Sequence, residues 1–411
     1  MLVNKTIVLG VTGSIAIYKA ADLASKLTQA GAKVEVVMTE SATKFVSPMT
    51  FRSVTNRPVV TSLWEMASEF SIEHVALADA ADIVVIAPAT ANIIAKLAIG
   101  IADDSLTCTV LATKAPVLIA PAMHTYMYQN SITQENIAKL KTRGFIFVAP
   151  GYGHLASGGV GQGRLADTED IIGAIKQVLG RNDDLAGKRI VVTAGGTREA
   201  IDPVRFIGNR SSGKMGYAMA EAARDRGAEV TLISGPAALG EPAGMKVIHV
   251  ISALQMREAV TKTVTKADVL IMTAAVADYM PKSQATQKIK KAATGPTFTL
   301  ELVRTPDILS ETRGKFLRIG FAAETEKLIE HARDELKKKQ LDLVVANDVS
   351  AADSGFEVDT NRVTIISRDG IVENLPLMLK RDVADRILDR VAELFPGTPK
   401  TKGVPIEEIE P

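Results

Sequence analysis

The chain has 411 residues, 46% of them hydrophobic, and a formal net charge of +1. That length suits about two domains with full cores. Near-neutral charge leaves no electrostatic footprint for nucleic acid, and apolar runs such as 83–89 are too short to span a bilayer. Cys108 is the one cysteine, which excludes an internal disulfide framework and a cysteine-built zinc site and fits a reducing cytoplasm. The five histidines contain no H-x-x-x-H pair, against a histidine-anchored metal. The N-terminus enters a strand at once, without a secretory apolar region.

Thr6–Val11 is a continuous β-branched run. The turn G-V-T-G-S at 10–14 follows, then a helical pattern over 15–30 and a second strand at Lys33–Met38. A strand–helix–strand opening predicts a parallel sheet of an α/β fold, with ligands at the carboxyl ends of the strands. The turn is not G-x-G-x-x-G and no acid ends the second strand, so a mononucleotide such as a flavin phosphate fits better than a dinucleotide. Ser14 offers a hydroxyl there, and the helix start offers N–H groups. A buried strand at 83–87 runs into P-A-T-A-N at 88–92. After a helix comes G-I-A-D-D at 100–104, and after a strand at 116–120 comes P-A-M-H at 121–124. Three strand ends thus bring small or polar residues to one edge, which suits a flat, mostly apolar cofactor. His74 is expected just before a helix over 75–80. The stretch 151–164, G-Y-G-H-L-A-S-G-G-V-G-Q-G-R, is too rich in glycine to predict regular structure and reads as a flap or a long surface loop.

These segments resemble the flavin-dependent cysteine decarboxylases, and the whole chain to about residue 395 resembles the bifunctional phosphopantothenoylcysteine decarboxylase/phosphopantothenate–cysteine ligases of coenzyme A synthesis. The resemblance implies FMN in the first half, held by Gly13, Ser14, Thr39, Pro88, Ala89, Thr90, Asn92 and Asp103. It implies His74 as catalytic base, and Met123 and His124 against the substrate. In that family FMN takes a hydride from the carbon bearing sulfur. The resulting thioaldehyde lets CO2 leave, and the enethiol is then reduced to 4′-phosphopantetheine. Two positions depart from the family pattern. His124 stands where asparagine is common, and Ser157 stands where a proton-donating cysteine is common. Ser157 is a far weaker acid than a thiol, so another donor is expected to serve the last step.

Residues 181–187 combine turn residues and charge and mark a linker. The second half restarts like the first: a strand at 189–193, then the glycine- and arginine-rich stretch 195–216 leading into a helix near Lys214. A glycine-rich turn between strand and helix gathers backbone N–H groups and suits phosphate. Arg198, Arg205, Arg210 and Lys214 lie in it, beside Glu199 and Asp202. Its G-x-x-x-x-G-K spacing at 208–214 is not a P-loop, because Met215 replaces the metal-holding Ser or Thr. A second echo pairs A-D at 81–82 with A-D at 267–268, each before an apolar strand. Two doubly wound Rossmann-like domains with mainly parallel sheets follow, at 1–180 and 188–395. Further on, Asp278 is expected to end a strand, Lys288–Lys291 to sit in a moving loop, Phe321 to follow a strand with Thr325 as a helix cap, and D-G at 369–370 to turn a hairpin. A tail over 396–411, rich in Pro, Lys and Glu, is expected to be disordered.

By resemblance this half is the ligase. The carboxylate of 4′-phosphopantothenate attacks the α-phosphate of CTP, giving an acyl cytidylate and pyrophosphate; cysteine then displaces CMP. Asn209 is implied to contact the acyl cytidylate and Lys288 to be the mobile lysine. Ser211, Ser212 and Gly213 are implied to meet phosphate. Ala274, Ala275, Val276, Asp278, Pro306, Asp307, Ile308, Leu309, Phe321, Glu335 and Lys339 are implied to line the CTP site, with Glu335 where the family commonly has lysine. A divalent cation such as Mg2+ is implied, with ligands not assigned. The resemblance further implies a cytoplasmic homo-oligomer, trimeric through the first domain and dimeric through the second, acting on small molecules without nucleic acid or membrane. Three rivals stay open: a ligase with a decayed flavin domain kept as a scaffold, a flavoprotein acting on another cysteine-bearing substrate such as a peptide, and a nucleotide-binding regulator.

Overall fold

The computed structural model describes residues 2–64, 73–156, 158–290, 297–324, 328–348 and 358–396. Ser157, Lys291, Thr325 and the tail beyond Pro396 lie outside the described residues. The chain divides into two compact units, Met1–Gly180 and Arg181–Pro411.

The first unit is built on a six-stranded parallel sheet. Its order is Val59–Val60, Lys33–Met38, Thr6–Val11, Ile83–Ala89, Val117–Pro121 and Ile146–Phe147. Ile7, Leu9 and Val11 pack into one core while Val8, Val84 and Ile86 pack into another on the opposite face. Strands covered on both faces read as unbroken apolar runs, which is why alternation is missing from the sequence. The order reverses between Thr6–Val11 and Ile83–Ala89, so the crevice lies outside their carboxyl ends.

The second unit repeats the plan. Lys246–His249, Glu229–Ser234, Arg189–Ala194, Val269–Met272, Leu317–Glu324 and Leu343–Asp348 run parallel in that order, and the hairpin Val363–Ser367/Val372–Asn374 adds two antiparallel strands. Ile190 and Val192 face one core, Val191 the other.

The echoed Ala-Asp pairs have a shared physical basis. Asp82 Oδ2 accepts a hydrogen bond from Thr6 N at 2.8 Å, and Asp268 Oδ2 accepts one from Arg189 N at 2.8 Å. Each carboxylate satisfies the first donor of the neighbouring central strand. Asp342 makes a related bond one position further in, accepting from Arg318 N at 2.8 Å in the strand Leu317–Glu324. In the expected linker, Leu185 is fully buried in the second unit's core and Asp184 pairs with Arg226.

Several sequence expectations need correction. Within 151–164, Gly151–His154 and Val160–Arg164 pair as antiparallel strands. Two of its glycines, Gly161 and Gly163, mark close approach. A Cβ at Gly163 would strike the Met123 carbonyl, and one at Gly161 would strike the Thr125 side chain. His74 lies inside the helix Glu73–Ala80. Asp278 does not end a strand. It follows the loop 273–277 and precedes the arm Tyr279–Pro281, which pairs with Leu302–Arg304. Phe321 lies within the strand Leu317–Glu324, because pairing with Leu343–Asp348 carries that strand further than its apolar core. The stretch after Gly195 is partly ordered as the hairpin Arg198–Ala200/Phe206–Gly208.

Candidate active sites

In the first unit the implied flavin residues gather at the carboxyl edge of the sheet. Gly13 and Ser14 follow the first strand, and Thr39 caps the short helix after the second, accepting from Ala42 N at 3.3 Å. Thr12 Oγ1 donates to the Pro88 carbonyl at 2.7 Å and accepts from Thr90 N at 3.2 Å, stitching the two strand ends across the switch point. Thr90 in turn caps the helix Ala91–Ile99. Pro88 and Ala89 are buried, and the Ala89 carbonyl accepts from Ala122 N at 2.9 Å. These two shape the edge and do not offer side chains to it. Asn92 is exposed in the first turn of that helix. Asp103 pairs with Lys96 at 2.7 Å, a hydrogen bond that lowers its pKa.

The helix Ile17–Gln29 begins at Ala16 with no side-chain cap and no acid in its first turn. Ser14 engages the entry to this helix, its Oγ accepting from Ala16 N at 3.3 Å and its carbonyl from Ile17 N at 3.0 Å, and no acidic side chain opposes an anion there. This acid-free start, the Gly13 turn and the neutral hydroxyls of Ser14, Thr39 and Thr90 fit a flavin monophosphate. Gly13 also packs tightly, since a Cβ there would lie 2.6 Å from Ser41 Cβ.

His74 is in the first turn of Glu73–Ala80, the helix that descends to the amino end of Ile83–Ala89. Its position is therefore toward the carboxyl edge. His124 caps the helix Thr125–Gln129, with Nδ1 accepting from Tyr126 N at 3.3 Å and the two rings 5.3 Å apart. That bond leaves Nε2 as the donor. Met123 N donates to the Gly163 carbonyl at 2.9 Å, which fastens the strand Val160–Arg164 to the turn carrying His124.

In the second unit a cavity of about 690 Å3 opens at the carboxyl edge, well within the size range of small-molecule sites. Asn209, Ser211, Gly213, Ala274, Ala275, Val276, Asp278, Pro306, Asp307, Ile308, Leu309, Phe321, Glu335 and Lys339 all line it. Ser212 and Lys288 do not. Lys288 is exposed, in a loop tied down one residue later: Ile289 N donates to Asp202 Oδ2 at 3.2 Å, and the Ile289 carbonyl accepts from Arg205 Nη2 at 2.9 Å. Arg205 holds the Asp202 carboxyl well below the usual carboxylate range, against its burial, with help from the N–H groups of Val204 and Ile289. Arg198 stacks on the Phe206 ring at 4.6 Å, and buried Glu199 accepts from Ala253 N at 2.8 Å. Arg198, Glu199, Asp202 and Arg205 thus build the loop and stand outside the cavity wall. Of the cations in this stretch, Lys214 reaches the cavity.

The helix Lys214–Asp225 starts from Gly213 at φ 80° with no side-chain cap and no acid in its first turn. Asn209 Nδ2 spans the cavity edge, donating to the carbonyls of Ala275 (3.4 Å) and Val276 (3.2 Å). Lys339 is flanked by Glu335 at 2.7 Å and Asp307 at 3.4 Å. Glu335 thereby neutralises Lys339 where the resemblance expected a second lysine. Sequence reasoning missed Asn347, Asn361 and Lys380, which also line the cavity. Asn347 Oδ1 is buried without a hydrogen-bond partner. Such an orphan acceptor needs a donor, and a ligand hydroxyl or amine would supply one. Among the described residues no cluster of three metal-ligating side chains occurs, and no helix is long and apolar enough to cross a membrane.

Comparison with known proteins separates the halves in the same way. A family model described as flavoprotein matches residues 1–180, and one described as DNA/pantothenate metabolism flavoprotein C-terminal domain matches 185–395. The coenzyme A biosynthesis bifunctional protein CoaBC of Bacillus subtilis (strain 168) is 50% identical over 404 residues, 97% of this chain and 99% of that protein. The chain belongs to the CoaBC family. The CoaBC protein of Mycobacterium tuberculosis (strain ATCC 25618 / H37Rv) is 45% identical over 413 residues, 96% of this chain and 98% of its own. A crystal structure of the C-terminal domain of a CoaBC protein is 45% identical, covers 52% of this chain and 98% of that domain, and has a TM-score of 0.45.

Proposed function

We propose that the chain catalyses two consecutive steps of coenzyme A biosynthesis, ligation in the second unit and decarboxylation in the first. The observation that carries the ligase half is the cavity at the second switch point. It combines an uncapped helix start, lysines, and an apolar end formed by Ile308, Leu309 and Phe321. Those features suit a nucleoside triphosphate, and we assign CTP on the family relation. The 4′-phosphopantothenate carboxylate attacks the α-phosphorus and pyrophosphate leaves. The cysteine amine then displaces CMP, forms the amide and loses a proton. Activation is needed because a carboxylate is not amidated directly at neutral pH. Asn209, held across the cavity edge, is placed to orient the acyl phosphate. Mg2+ would be held mainly by the phosphates, with exposed Asp278 as the available carboxylate.

In the first unit, FMN when bound supplies the hydride acceptor for the carbon bearing sulfur. His74 takes the thiol proton as that carbon is oxidised. His124 Nε2 donates to the substrate carboxylate until CO2 departs, and the paired strands Gly151–His154 and Val160–Arg164 cover the turn that carries it. Ser157, outside the described residues, is assigned no proton transfer; another donor completes the enethiol reduction. The proposal places this enzyme in the cytoplasm as a homo-oligomer, with trimers through the first unit and dimers through the second.

The test supplies phosphopantothenate, cysteine, CTP and Mg2+ to the purified protein and identifies products by mass. Phosphopantetheine with CO2 is expected. Accumulation of phosphopantothenoylcysteine would leave a ligase on a silent flavin scaffold. Recovery of unchanged phosphopantothenate would sink the reading altogether.

A further inference from the structure

The second unit holds a groove that neither reaction uses. It encloses about 610 Å3 between the helix Ala253–Val264 and the strands Arg189–Ala194, Glu229–Ser234 and Lys246–His249, the last being the outermost strand of the sheet. Arg189, Glu229 and Lys246 line it, and they are the first residues of those parallel strands. The groove therefore opens at the amino edge of the sheet, opposite the cavity described above. Half-buried Thr231, Ile248 and Ala259 form its floor. Its rim is basic. Lys246, Lys262 and Lys266 are exposed and have no ion pair or side-chain hydrogen bond among the described residues. Arg189 is engaged by Asp268 at 3.4 Å, and Glu229 and Glu258 are the acids that line the groove.

We propose that this groove receives the chain's own residues 404–410, V-P-I-E-E-I-E, with Ile406 and Ile409 on the floor and Glu407, Glu408 and Glu410 against the three lysines. The inference concerns the opposite edge of the sheet from the nucleotide and does not depend on that reading.

Complementarity selects this segment. Residues 404–410 carry three glutamates, three aliphatic side chains and no cation, while Lys400 and Lys402 fall before them. Unpaired ammonium groups over an apolar floor suit an acidic segment of that make-up. Position selects it too. The Phe395 ring lies 4.2 Å from Lys188 Nζ, and Lys188 directly precedes Arg189 on the groove rim. The closing helix thus delivers the chain to the amino edge, beside the groove. Seven residues, 397–403, then precede Val404. They can span about 23 Å when extended, and the helix that walls the groove is about 18 Å long. Exposed ion pairs hold little singly. A segment tethered this closely, however, acts at an effective concentration on the order of millimolar, so a few such pairs and two seated isoleucines suffice. The docked segment also covers the face of an outermost strand, a place where sheets need protection.

Disulfide trapping in the full-length protein tests the proposal. In a Cys108→Ser background, Ala259→Cys with Ile409→Cys is expected to cross-link within one chain under mild oxidation. The rate should be at least tenfold above that of Arg386→Cys with Ile409→Cys, since Arg386 is an exposed position on the helix from which the segment departs. Lys246→Glu with Lys262→Glu is expected to slow the first cross-link at least tenfold, and Glu407→Lys with Glu408→Lys to restore it. Without any introduced cysteine, the same lysine reversal is expected to speed glutamyl-endopeptidase cleavage after Glu407 and Glu408 several-fold. Both lysines are exposed, so their reversal does not threaten folding. Cross-linking no faster at Ala259 than at Arg386, or cleavage indifferent to the lysine reversal, would overturn the proposal. A cross-link joining two chains would overturn it as well, giving the groove to the segment of a second copy.

Discussion

The two units use one scaffold for different electrostatic tasks. Both wind six parallel strands in the same order, both seat an aspartate against the first donor of the central strand, and both leave the first helix uncapped. They part at the carboxyl edge. The first edge carries small neutral groups, Ser14, Thr39 and Thr90, with Thr12 stitching its two strand ends. The second opens into a cavity lined by Lys214, Lys339, Lys380, Asp278, Asp307 and Glu335. A parallel sheet fixes where a ligand sits; the loops decide how much charge it carries there.

The comparison breaks most sharply if one unit can be damaged alone. A Cβ at Gly216 would lie 2.5 Å from Ala194 Cβ and would also strike Thr273 and the Thr193 carbonyl. Gly216→Val is expected to destabilise the second unit by about 3 kcal/mol or more and to abolish ligation while the first unit still binds flavin. Differential scanning calorimetry with flavin absorbance checks this; simultaneous loss of both would deny the units their independence. The shared aspartate gives the next effect. Asp82→Ala and Asp268→Ala each orphan a strand-end N–H and are expected to cost about 1–3 kcal/mol, each in its own unit. Equal destabilisation of both units by either variant would contradict the parallel drawn here.

The smallest effect concerns pH. Arg205 depresses the folded-state pKa of Asp202, so its contribution is present above the ordinary aspartate pKa of about 4 and is lost as pH falls through the lower folded value. Amide-exchange protection at Ile289 is expected to fall in that acid window, and Asp202→Asn is expected to remove the dependence. A wild-type profile flat into strong acid would show that this carboxylate does not anchor the loop.

Much of the scaffold was legible in the sequence. The apolar runs at 6–11, 33–38 and 83–87 gave strands, the repeated Ala-Asp pairs marked equivalent positions, and D-G at 369–370 gave the terminal hairpin. Gly161 and Gly163 were misread, because a residue's need to lack a Cβ depends on which backbone passes over it. The arginines of 195–216 suggested ligand contacts, yet Arg205 and Arg198 found partners within the loop itself.

Composition and periodicity by themselves determined the layered α/β class and the edge on which ligands would sit, since alternating strands and helices bury their apolar faces in few ways. Family motifs, also local in sequence, named most of the residues around the cavity. Only the tertiary structure decided which charges share a wall. Lys380 lies more than 160 residues beyond Lys214, and nothing short of packing their two helices together brings those ammonium groups onto one cavity. Asn347 likewise became an unmet acceptor only once its strand had been walled in by its neighbours, because hydrogen-bond satisfaction is a property of the assembled surroundings and not of the local chain.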